Sequence, residues 1–128
     1  MKRLFILLFV AAIMVSCKVT FVPTKSQTAL DMIQQIQQDA NNAFYTANYD
    51  EVAYSKASDD IDSLISFDKS RAKAGFISKQ DDRIKTLFDE FRSEHKAKGS
   101  IGATEQDTYK SYFKSAIDAR TISEQSLK

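Results

Sequence analysis

Apolar residues follow two regimes along this chain. Leu4 to Val15 is an unbroken apolar run, LFILLFVAAIMV, whereas from Gln27 onward apolar residues recur every three or four positions with polar ones between them. The second regime is that of helices turning one face to a core, and it predicts four of them. The first, about Gln27 to Ala47, carries Leu30, Ile33, Ile36, Ala40, Ala43, Phe44 and Ala47 on one stripe. Gln34, Gln35, Gln38 and Asp39 lie on its other side. The second, about Tyr49 to Ala74, opens at Asn48-Tyr49-Asp50-Glu51, a cap side chain with an acid three residues later. Its stripe is Tyr54, Ala57, Ile61, Leu64 and Ile65, with Asp59, Asp60 and Asp62 outward. Ser78 and Asp81 suggest the cap of a third helix, running to about Lys98 with Ile84, Leu87, Phe88, Phe91 and His95 on one face. Thr104 and Asp107 suggest the cap of a fourth, with Tyr109, Tyr112, Phe113, Ala116, Ile117 and Leu127 inward.

The three glycines fall where these helices are expected to stop: Gly75 after the second, Gly99 after the third, Gly102 just before the next cap. Hairpin dipeptides and long alternating segments are absent. The chain therefore reads as all-α. Long helices joined by short loops pack as antiparallel neighbours, so the expected fold is an up-down-up-down four-helix bundle over residues 27–128. It is preceded by a leader, residues 1–16, and a tether, residues 17–26, which holds the only proline, Pro23.

The unbroken run explains the leader. Twelve residues of helix span about 18 Å, short of the roughly 30 Å of a bilayer core. With Lys2 and Arg3 before it and a small residue after it, the run has the form of a secretory signal. It ends at Met14-Val15-Ser16-Cys17, which resembles the lipobox of bacterial lipoproteins, with methionine where leucine is usual. The resemblance implies cleavage between Ser16 and Cys17, a diacylglyceryl group on the Cys17 thiol, and palmitate-type chains holding the mature protein to a lipid bilayer. Lys18 follows the cysteine where an Asp resembles an inner-membrane retention signal, and no acidic run follows. The expected location is the outer membrane, facing the periplasm. The layout as a whole resembles small helical envelope lipoproteins of unknown function from Bacteroidota.

Composition narrows the chemistry. Cys17 is the only cysteine, so no intramolecular disulfide forms, and lipidation gives the thiol a use. Loss of the leader removes Lys2 and Arg3, leaving 16 cations against 17 acids and moving the formal charge from +1 to −1. A chain so near neutrality lacks the basic footprint of a nucleic-acid binder. His95, the only histidine, has Arg92 three residues before it, so no Glu-x-x-His di-iron motif exists. Asp59-Asp60-Ile61-Asp62 lacks the glycine and terminal glutamate of a calcium loop. With no nucleophile, base and orienting group to assemble, the chain is read as a non-enzyme without metal or cofactor.

Asn41 to Ala57 resembles the turn of a tetratricopeptide repeat. Its turn glycine is missing and no recurrence at about 34 residues follows, so a helical hairpin is the simpler reading. Tyr45 and Ile122 fall opposite the apolar stripes of their helices, and Phe67 sits at the edge of its own. These three are the candidate interaction surface, since clustered exposed apolar groups mark binding sites. The expected function is a membrane-anchored, non-catalytic interaction or accessory subunit with an envelope protein as partner. The alternative is a bundle holding a small apolar molecule among Phe44, Phe88, Phe91, Tyr109 and Phe113, and a tetratricopeptide-like adaptor ranks below it.

Overall fold

The computed structural model describes residues 24–71 and 75–128. Four helices form: α1 (Gln27–Tyr45), α2 (Glu51–Ser70), α3 (Gly75–Lys98) and α4 (Ala103–Gln125). At 1.5 Å per residue they are about 28–36 Å long. Helix α1 packs on α2 and α4, and α3 packs on the same two. The chain thus closes as an up-down-up-down four-helix bundle. The start of α1, end of α2, start of α3 and end of α4 gather at one end, called the tethered end because the segment before α1 enters there. The α1–α2 and α3–α4 connections form the far end.

Local chemistry sets the boundaries. Ser26 caps α1, its hydroxyl accepting from the Ala29 amide. Asp50, not Asn48, caps α2, its Oδ1 accepting from the Val52 and Ala53 amides at 3.0 and 3.2 Å. That helix ends at Ser70, short of Ala74, and Arg71 is its C-cap. Gly75 is the first residue of α3, not a stop for α2, so Ser78 and Asp81 lie inside the helix they were expected to cap. Gly102 itself is the N-cap of α4, and its amide donates to Glu105 Oε2; Thr104 and Asp107 lie beyond it. Gly99 does terminate α3. Its φ of 73° is the left-handed conformation open to glycine, and its amide donates to the His95 carbonyl at 2.8 Å.

The bundle is layered along its axis. Near the far end the core is aromatic, with Phe44, Tyr54, Phe88, Tyr109 and Phe113 all buried. The middle is aliphatic: Ile33, Ile36, Ile61, Leu64, Ile84 and Ile117. At the tethered end the interior is charged, with Asp81, Arg120 and Glu124 buried in its place. Small residues Ala40, Ala43 and Ala57 are fully buried in α1 and α2 and allow these helices close approach.

Two expected inward positions face out: Ala47 lies past the end of α1, and Tyr112 is 63% exposed. Conversely, Asp39, expected on the outer side of α1, is buried. It accepts from Gln35 and from Lys56 of α2. Burial pushes its carboxyl up, but the neighbouring Asp60, Lys56 and Gln35 outweigh this and hold it below its ordinary value.

The far end is closed by backbone. The Tyr49 amide donates to the Gly99 carbonyl at 2.9 Å and the Ile101 amide to the Ala47 carbonyl at 2.8 Å, pairing Asn48 with Ser100 in an isolated antiparallel bridge. Ile101, buried just beyond Gly99, plugs the core beneath it.

Candidate functional site

The tethered end contains the most concentrated polar structure in the bundle. Arg120 of α4 is fully buried, and its guanidinium is used in three directions. Its Nε donates to Asp81 of α3 at 2.8 Å, its Nη2 to Asp68 of α2 at 2.6 Å, and its Nη1 to Glu124 one turn along at 3.0 Å. Arg71, the cap of α2, donates through Nη1 to Asp68 and to Glu124 Oε2, at 2.8 and 2.9 Å. Its Nη2 reaches Glu124 Oε1 and the Thr24 carbonyl, at 2.7 and 2.6 Å. The Ser26 amide completes the set, donating to Glu124 Oε1 at 2.7 Å. Two guanidiniums and three carboxylates thereby join α2, α3 and α4 to the segment that leads into α1.

Such a network is not a large net source of stability, since desolvating five ionic groups offsets most of their attraction. Its effect is positional. The planar fork of Arg120 fits one alignment of α2, α3 and α4, so sliding any of these helices by a turn leaves buried charge unpaired.

With all groups ionised the network carries one excess negative charge. Burial first, and the neighbouring Asp68 second, push the Asp81 carboxyl up to about 7, against the pull of Arg120. A proton on Asp81 balances the cluster. Because the folded pKa lies above the ordinary value of 3.8, the stability linked to this group is complete below that value. It is lost as pH rises toward 7, with a slope of up to about 1.4 kcal/mol per pH unit. Glu124 behaves oppositely: burial raises its pKa, but Arg71, the Ser26 amide and Arg120 outweigh this and lower it. Its contribution is complete above the ordinary value of 4.5 and is lost as the pH falls through its lowered folded pKa. Urea midpoints at pH 5 and pH 8 for the parent and for Asp81→Asn will isolate the Asp81 part. The parent should lose more stability than the variant between these values; equal losses would show that Asp81 does not titrate there.

At the far end, the only histidine is a structural residue. His95 is fully buried. Its Nε2 lies 3.0 Å from the Ala47 carbonyl, which only accepts, so Nε2 carries the proton. Nδ1 is then left to accept from the Tyr54 hydroxyl at 2.8 Å. Tyr49 stacks on Tyr54 with ring centroids 5.1 Å apart, and its hydroxyl donates to Glu51 at 2.6 Å while receiving Arg92 Nε at 3.1 Å. Both ring nitrogens of His95 are thus committed to holding the α1–α2 turn on α3, and neither is offered to a substrate.

The aromatic residues expected to line a cavity pack on one another. Phe44 is their hub, with centroids 5.5–5.9 Å from Phe113, Phe88, Phe91 and Tyr109; Phe91 and Tyr109 stack at 4.3 Å. The depression over Thr46–Val52, of about 530 Å³, is open to solvent. Among the described residues, no group of three or more His, Cys, Asp or Glu is placed to hold a metal ion, and no helix is long and apolar enough to cross a membrane.

Ser16 and Cys17 lie outside the described residues. The structure does not bring the other three candidates into one patch. Tyr45, 61% exposed, is at the far end, where Lys110 stands 3.6 Å from its ring centre. Phe67 is half-buried near the tethered end, with the Arg71 guanidinium 5.7 Å from its ring. Ile122, 64% exposed, projects from the last turn of α4 at that same end. Sequence reasoning missed the charged network. A signal for it exists, since Arg120 and Glu124 continue the stripe of Tyr109, Phe113 and Ile117 in steps of three and four.

No protein-family model, curated protein or solved structure matches this chain.

Proposed function

We propose that this chain is an envelope lipoprotein, acylated at Cys17 after removal of residues 1–16, whose helical bundle serves as a non-catalytic interaction or accessory module at the outer membrane. One observation carries the reading: Met14-Val15-Ser16-Cys17, which resembles a lipobox, stands ten residues before a bundle whose first helix starts at the end that is tied to its leading segment. Two or more acyl chains hold a protein durably to lipid. The commitment of both His95 nitrogens to the fold and the mutual packing of the aromatic rings support a role in contact rather than in chemistry.

Metabolic labelling with palmitate tests the anchor. The parent should take up label and fractionate with membranes, and Cys17→Ser should lose both. A Cys17→Ser protein that keeps its membrane fractionation without label removes the lipoprotein reading. The accessory half is tested by crosslinking the acylated protein in its own envelope, where a reproducible protein neighbour is expected and a repeatedly empty capture counts against it.

A further inference from the structure

The ten described lysines divide by position. Lys56, Lys85, Lys96, Lys98, Lys110 and Lys114 each pair with a carboxylate, and all belong to the middle or the far part of the bundle. The other four, Lys25, Lys69, Lys79 and Lys128, are exposed, and none forms an ion pair among the described residues. All four are at the tethered end: Lys25 just before α1, Lys69 in the last turn of α2, Lys79 in the second turn of α3, Lys128 just after α4.

The cause lies in the network beneath them. Asp68, Asp81 and Glu124, the carboxylates that would otherwise neutralise this end, are turned inward onto Arg71 and Arg120. The exposed acids closest to this end along their helices, Asp31, Asp82 and Asp118, stand one to two turns inside. Two apolar side chains sit among these cations: Phe76, 46% exposed in the first turn of α3, and Ile122 in the last turn of α4.

We propose that the tethered end is a docking face for an anionic phospholipid surface, with these four lysines on the headgroups and Phe76 and Ile122 at the interfacial boundary. Charge complementarity selects the occupant: cations flanking isolated apolar groups match headgroup phosphates above an acyl layer, and an acidic protein surface would leave the two apolar groups without a partner. The inference rests on the acylation of Cys17, which holds this end within about 33 Å of lipid, the reach of ten extended residues. On so short a tether the second contact is intramolecular, so an attraction too weak to recruit a free protein is enough to seat the bundle upright.

The chain contains no tryptophan, so Phe76→Trp supplies a single fluorescent reporter at an exposed position. The acylated protein carrying it is inserted into vesicles of phosphatidylcholine, alone or with about 30 mol% phosphatidylglycerol as the anionic lipid. Blue-shifted emission and quenching by brominated acyl chains are expected only in the anionic vesicles. Both should fade in 1 M salt, where screening shortens to about 3 Å. The pair K69E and K79E should lower the docked-to-free ratio by about 25-fold or more, at about five-fold for each lysine. A separate Tyr112→Trp protein, with its reporter toward the far end, should stay water-like throughout. Identical emission from the Phe76→Trp protein in the two vesicle types, or equal quenching of the Phe76→Trp and Tyr112→Trp proteins, would overturn the docking face. Failure to float with phosphatidylcholine vesicles would overturn the acyl anchor and the docking face with it, whereas flotation without the anionic blue shift would overturn the docking face alone.

Discussion

Arg120→Met will destabilise the bundle by about 3–5 kcal/mol, because it leaves the carboxylates of Asp68, Asp81 and Glu124 buried with one guanidinium between them. Methionine matches the length of the arginine stem, so lost packing contributes little to that figure. In a domain whose total stability is about 5–15 kcal/mol, the change should lower the melting temperature by roughly 4–8 °C per kcal/mol. A second variant separates the charge effect from general damage. Adding Asp68→Asn, Asp81→Asn and Glu124→Gln to Arg120→Met removes the orphaned charges and should recover part of the loss. Urea unfolding of both proteins reads the result. An Arg120→Met stability within about 1 kcal/mol of the parent, or a further loss in the quadruple variant, would mean that Arg120 acts through its bulk and not its charge.

The second large effect is expected at the other end of the core. Phe44 touches Tyr54, Phe88, Phe91, Tyr109 and Phe113, ring to ring, at 5.5–6.1 Å. Phe44→Ala removes a fully buried ring from the centre of that group and should cost about 3–5 kcal/mol, the surrounding rings being too large to close the space. The neighbouring residue is the control. Tyr45 is 61% exposed, and Tyr45→Ala should stay within about 0.5 kcal/mol, apart from the Lys110 contact. Comparable losses for the two variants, measured by urea unfolding, would show that the aromatic layer is not a packed hub. Because ring-on-ring contacts at this site are mutual, Phe44→Leu should recover much of the stability without recovering all of it.

The stripes were legible because periodicity is a property of neighbouring residues. Ile33, Ile36, Phe44, Tyr54, Ile61, Leu64, Ile84, Phe88, Tyr109, Phe113 and Ile117 are all buried where spacing placed them, and short loops then left a ring of antiparallel neighbours as the natural closure. The misplacements have local causes. Ala47 continues the spacing of α1, yet the helix has ended at Tyr45, so spacing no longer decides its direction. Tyr112 sits beside Phe113 on the edge of the stripe, where the hydroxyl and the neighbouring polar residues favour solvent.

Caps were harder because one side chain can have two uses. Ser78 and Asp81 have the spacing of a cap, but Asp81 is engaged across the bundle by an arginine 39 residues away. Asp39 likewise reads as a surface acid until α2 brings Lys56 alongside. Nothing in a local window tells such a carboxylate that its partner is coming. The tethered-end network shares this property throughout, with Asp68 and Arg120 separated by 52 residues. What the sequence did contain was the intrusion of charge into a stripe position at Arg120 and Glu124, which reads as a request for burial with partners still unnamed.

The connection of Thr24 and Ser26 to Arg71 and Glu124 has a mechanical meaning. Tension arriving along the segment ahead of α1 does not peel that helix away turn by turn. It is passed at once, through the Thr24 carbonyl and the Ser26 amide, to charged side chains rooted in α2 and α4. The domain is hitched to its lead at several points, and a pull on that lead loads it as one rigid body.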